Sequence, residues 1–167
     1  MEKSNQRMIR KATQEDLAFV YGLYMHPQIN PYLLYDEMTL REFEPIYQEL
    51  IHKGVKFIYS ENQRDIGMFK LIPLTYRTAH IAYLGGVGIH PDFAGKGHGI
   101  KMMNEAIGLA KERGFRRVEL STYVSNEKAI GLYEKAGFVK EGIMRKFAYL
   151  KNENTYIDEV LMSYIDF

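Results

Sequence analysis

The chain of 167 residues contains no cysteine. That excludes disulfides, thiolate nucleophiles and cysteine-type zinc centres, so no metal site is expected, and a reducing, cytoplasmic setting is. Tryptophan is absent too, and neither sign of charge is in excess: 22 Lys and Arg against 21 Asp and Glu give a net charge of +1. Such a balance points to neither nucleic acid nor an anionic membrane as partner. No apolar run approaches the length of a membrane span, and the start Met1–Gln6 lacks an apolar signal region. There is no linker, repeat or low-complexity tract, and one domain over residues 1–167 is expected. What is present is an ordinary globular composition, 46% hydrophobic and 26% charged, with 13 tyrosines suited to half-buried strands and cleft walls.

Periodicity divides the chain into eleven elements. Met8–Ala12 reads as a short strand, and Thr13-x-x-Asp16 as a capping box opening a helix that turns Leu17, Val20, Tyr21 and Tyr24 to one side. A loop bracketed by Pro27 and Pro31 runs to Met38. Thr39-x-x-Glu42 suggests another helix start, but Pro45 predicts that the regular helix begins or bends there, ending near Gly54. Strands are expected at Val55–Ser60, Ile66–Leu74 and Thr78–Ile89, then a helix Ile100–Arg113 closed by Gly114. Strand Arg117–Val124, helix Asn126–Ala136 and strands Val139–Leu150 and Thr155–Tyr164 complete the pattern. The order β-α-α-β-β-β-α-β-α-β-β implies an α/β (α+β) fold, with a mixed, mostly antiparallel sheet between helices on both faces.

The segment Val87-Gly88-Ile89-His90-Pro91-Asp92-Phe93-Ala94-Gly95-Lys96-Gly97-His98-Gly99 is the most informative one. A strand end and a proline turn lead into alternating glycines, which permit positive φ and let successive N–H groups face one anion. The helix beginning at Ile100 adds unpaired N–H groups and a dipole worth roughly 0.3–1 kcal/mol to a phosphate. A P-loop needs Gly-Lys-Ser/Thr, whereas Lys96 is followed by Gly97 and His98. A dinucleotide loop wants G-x-G-x-x-G at the strand end; here the spacing is G-x-G-x-G after a turn, and Glu119 lies within a strand rather than at its far end. A glycine-rich turn without a ligand fits the same residues.

This segment resembles the acetyl-CoA-binding motif of the GNAT N-acetyltransferase superfamily, whose pattern Arg/Gln-x-x-Gly-x-Gly/Ala falls on Ala94, Gly97 and Gly99. A second signature follows in order, Asn126-Glu127-Lys128-Ala129-Ile130-Gly131-Leu132-Tyr133-Glu134-Lys135-Ala136-Gly137-Phe138. Together with Tyr156–Met162 it looks like the branch holding spermidine and ribosomal-protein acetyltransferases. The resemblance implies acetyl transfer from acetyl-CoA to a small-molecule or peptide amine, and a homodimer. It also implies that Val87, Gly88 and Ile89 meet the pantetheine arm, that Ala94, Gly95, Lys96, Gly97, His98, Gly99 and Ile100 meet the phosphates, and that Asn126 contacts the coenzyme. Ala94 departs from the family's Arg or Gln, which removes a side chain but no backbone donor.

Tyr133 occupies the position of the family's general acid; a phenol near ~10 suits protonation of a thiolate near ~8.5. It also fits a core face with Ala129, Ile130, Leu132 and Ala136, and Asn126 also fits an N-cap. Lys96 and Lys101 suit either phosphate contact or a solvated rim. Many relatives carry a glutamate on the strand before the glycine loop, whereas His80–Val87 contains no carboxylate. His80 and Tyr83 are read as relays, and Tyr35, Asp36 and Glu37 as acceptor-side residues; the base stays unassigned. A non-catalytic acyl-CoA-binding module and a nucleotide-binding domain are the competing readings.

Overall fold

A computed structural model describes residues 8–165, so the polar start Met1–Gln6 lies outside the described residues. Strands β1 (Ile9–Lys11), β2 (Lys56–Glu61), β3 (Arg64–Pro73), β4 (Ile81–Ile89), β5 (Arg117–Tyr123), β6 (Val139–Leu150) and β7 (Thr155–Ile165) form one sheet in the order β1-β2-β3-β4-β5-β7-β6. Only β4 and β5 run parallel; the other neighbours are antiparallel. Helices α1 (Leu17–Tyr24) and α2 (Leu40–Lys53) cover one face, α3 (His98–Glu112) and α4 (Glu127–Lys135) the other. No helix among the described residues is long and apolar enough to cross a membrane.

Each face has its own core, because alternate strand residues point to opposite sides. Met102, Met103, Ala106 and Ala110 of α3 pack on Phe69, Leu71, Ala82, Leu84 and Leu120, together with Ile130 and Tyr133 of α4. Val20, Leu23 and Tyr24 of α1 and Phe43 and Tyr47 of α2 pack on Ile58 and Met68. The loop between these two helices reaches β5 on the same face, where the Tyr32 ring meets Tyr123.

Of the boundaries that differ from the sequence reading, three have a plain local cause. Helix α2 begins at Leu40 rather than near Pro45: the Thr39 hydroxyl accepts from the Glu42 N–H at 3.3 Å and the Glu42 carboxylate accepts from the Thr39 N–H at 2.8 Å. Pro45 is exposed, so the carbonyl its ring leaves unpaired opens to water, and the box outweighs the loss. Helix α3 begins at His98, two residues early, because the left-handed Gly97 (φ 80°) starts it directly. Strand β4 begins at Ile81, since Tyr76–Thr78 form a 3-10 turn.

Candidate active site

Strands β4 and β5 pair only at Ile81↔Arg117, Ala82↔Val118 and Tyr83↔Glu119, then part. The rest of β4, Leu84–Ile89, has β3 on one edge and no ladder on the other. Its register against β3 jumps from Lys70↔Gly85 to Met68↔Gly88, a bulge in which Gly86 and Val87 oppose Phe69. Gly86 is left-handed (φ 54°), and a Cβ there would lie 2.3 Å from the Tyr24 hydroxyl, so only glycine fits. The His90 N–H donates to the Ile66 carbonyl of β3 at 2.7 Å. Strand alternation therefore turns the Ile89 N–H toward the parted edge.

A cleft of about 780 Å³ runs through this gap from the glycine loop to Tyr32, Tyr35 and Glu159. Val87, Gly88, Ile89, Ala94, Gly95, Gly97, Gly99, Ile100 and Asn126 line it, as do Tyr35, Tyr83 and Tyr133. Gly95 and Gly97 have φ of 73° and 80° with open space where a side chain would point. Among the described residues no carbonyl or side chain accepts a hydrogen bond from the N–H groups of Gly95 to Ile100. These free donors at the start of a 15-residue helix make a set of N–H groups able to bind an anion.

Lys96, His98, Asp36 and Glu37 are not brought to the cleft. Lys96 lies over the Phe93 ring at 5.7 Å and donates to the Asp92 carbonyl. The His98 ring turns toward Glu61, with Nδ1 3.6 Å from the carboxylate. Asp36 pairs with Lys151 at 3.3 Å, and Glu37 and His80 are exposed. Lys101 likewise pairs with Glu61, at 3.2 Å. Asn126 lines the cleft and caps α4 at once: its Oδ1 accepts from the Ala129 N–H at 3.4 Å while Nδ2 donates to the Thr122 hydroxyl at 3.0 Å.

Tyr133 reaches the cleft from α4 and is 8% exposed. Burial first, then Tyr83 and Glu159, push its phenol well above the ordinary range. It stays protonated at neutral pH and can donate. The same cleft holds a carboxylate to which the sequence reading gave no role. Glu159 of β7 is 2% exposed, lines the cleft, and accepts from the Ser121 hydroxyl at 2.5 Å. Burial raises its carboxyl above the usual range, and the Ser121 bond opposes the shift. Its signal was there: along β7 it shares a face with Ile157 and Leu161, a charge in an apolar phase. Lys56 and Lys70 carry the same mark in β2 and β3, as lysines in the phase of Ile58 and Met68.

The sequence pattern of the Acetyltransferase (GNAT) family matches residues 17–138. The spermidine N(1)-acetyltransferase of Vibrio cholerae is 29% identical over 146 residues, covering 83% of this chain and 82% of that protein. A crystal structure of the Vibrio cholerae spermidine N-acetyltransferase, in complex with CoA and spermine, superposes with a TM-score of 0.82 at 26% identity over 94% of each chain. The ribosomal-protein-alanine N-acetyltransferase of Brucella melitensis shares the fold, with a TM-score of 0.79 at 20% identity over 95% of this chain and 99% of that one. A family pattern over most of the sequence, on a fold shared nearly end to end with an acetyltransferase, establishes the kinship: this chain belongs to the GNAT acetyltransferase family.

Proposed function

We propose that the protein is an N-acetyltransferase that moves the acetyl group of acetyl-CoA to a primary amine by direct attack through a tetrahedral intermediate. One observation carries the reading: a single cleft joins the unpaired loop amides, the parted strands, a buried protonated phenol and a buried carboxylate. The amides of Gly95–Ile100 hold the coenzyme's diphosphate, and the Ile89 N–H on the free edge of β4 meets its pantetheine arm. Glu159, held by Ser121, takes the amine's ammonium and draws off its proton, the role left unassigned in the sequence. Its raised pKa suits that work better than an ordinary carboxylate would. Tyr133 gives its proton to the departing thiolate and recovers it through the cleft. The absence of cysteine supports a cytoplasmic setting for this chemistry.

The test is thiol release from acetyl-CoA across a panel of amines, beside hydrogen exchange with and without CoA. CoA should protect the amides of residues 95–100. Tyr133→Phe should lower kcat by about 100-fold or more while leaving the CoA Kd within about twofold. Tight CoA binding with no turnover of any amine would instead identify an acyl-CoA-binding module without catalysis.

A further inference from the structure

Among the described residues, Lys70 has no counter-charge. It sits on β3 facing Gly85 of β4, where the strands begin to part, and lines the cleft. A Cβ on Gly85 would lie 3.1 Å from Lys70 Cε and 2.6 Å from Tyr83 Cε1, so the two side chains flank a bare stretch of backbone. The Lys70 ammonium lies 5.0 Å from the centre of the Tyr35 ring, and no carboxylate among the described residues pairs with it. Directly across the ladder stands Lys56, fully buried, its Nζ donating to the Tyr24 hydroxyl at 2.9 Å. Like charges facing each other in a sheet are destabilising, and buried cations without acids more so. Burial pulls both lysines below their ordinary range. Only Lys70 of the two reaches the cleft, and a cation kept on a cleft wall without an acid beside it among the described residues is open to a ligand.

Apart from Glu127, Lys128 and Lys135 on α4, the charged residues lining the cleft are one of each sign: Glu159 on the β7 side and Lys70 on the β3 side, with Lys56 buried across the ladder from Lys70. We propose that the acceptor is an amino-carboxylate, a free amino acid or compact analogue, whose ammonium meets Glu159 and whose carboxylate meets Lys70. This rests on the acetyl-transfer reading above. A polyamine brings two or more ammonium groups to a wall with one carboxylate and sets the second against Lys70. Asp36 and Glu37, the acids that would have favoured a polycation, lie off the cleft. The polyamine named for the Vibrio relative is thus the substrate class this wall disfavours.

The experiment compares thiol release with free amino acids, their amides and methyl esters, and spermidine, using the full chain and acetyl-CoA. At least one amino acid should exceed its own amide and ester by about tenfold or more in kcat/KM, chiefly through KM. Lys70→Met should bring that ratio close to one, and Lys70→Arg should retain most of it. Amides or spermidine used as well as the free acids, or a ratio unchanged by Lys70→Met, would overturn the proposal. Turnover of spermidine alone overturns it while leaving acetyl transfer intact. No turnover of any amine by CoA-binding protein removes both.

Discussion

Glu159 is a buried carboxylate whose charge costs the fold, and the proposed reaction gives that charge a use. Burial raises its carboxyl, so above that raised value the ionised form opposes folding, and the cost fades as pH falls and the group protonates. Glu159→Gln keeps an acceptor for the Ser121 hydroxyl but sheds the charge. The variant should melt higher than the parent near pH 7, with the difference shrinking toward about pH 4, as thermal melts across that range would read. Its kcat/KM should nonetheless fall by about 100-fold or more. A loss of activity together with a gain in stability separates a functional carboxylate from a structural one. Tyr133 and Asn126 were legible as residues because both stand in a contiguous signature. Glu159 lies in the run Tyr156–Met162 with no role attached to it there, Lys70 stands in no motif, and alternation within a strand reveals only that a charge shares an apolar phase.

Among the elements, the turn into α3 depends on backbone conformation rather than room. Gly97 has φ of 80° with nothing within 4 Å of a would-be Cβ, whereas Gly108, also in open space, lies inside the helix. The two alanine substitutions should therefore have opposite signs. Gly97→Ala forces a side chain into the left-handed region at about 1–2 kcal/mol and turns the loop amides away, lowering both melting temperature and CoA affinity. Gly108→Ala should gain about 0.5–1 kcal/mol and leave CoA binding unchanged. Isothermal titration and thermal melts of both variants check this. The glycine loop is readable from residue order alone because its chemistry lies in adjacent positions of the chain. The start of helix α2 is not, because the sequence offers two signals, a capping box at Thr39 and a proline at residue 45. Only solvent exposure of Pro45 shows why the first prevails.

Across the whole molecule, ion pairs tie distant parts of the sheet and set its acid limit. Arg117 of β5 grips Glu141 of the edge strand with two bonds of 2.6 and 2.5 Å, and Ser163 of β7 between them adds one of 2.7 Å. Arg117 first, then Ser163, hold the Glu141 carboxyl down to about 2. Arg10 likewise lowers buried Asp16, which also accepts from the Thr13 N–H at 2.8 Å. Carboxyls lowered in the folded state contribute stability above their unfolded values, and lose it as pH falls through the folded ones. The urea midpoint should hold between about pH 7 and 5 and then drop between about pH 4.5 and 2. Glu42, Glu49 and Glu61 are lowered as well, and relief of Glu159 alone works the other way.

What the residue order settles unaided is local: eleven elements in order, the capping boxes, and a glycine loop whose alternation leaves adjacent N–H groups free. Helices on both faces followed too, since strand alternation requires two apolar layers. Tertiary structure alone decided which strands lie side by side. Inserting β7 between β5 and β6 sets Glu159 beside Ser121, and the facing of β2, β3 and β4 sets Lys56 and Lys70 against Gly85. Those neighbours are far apart along the chain, and period-two patterning specifies a side chain's face but never its companion across the ladder.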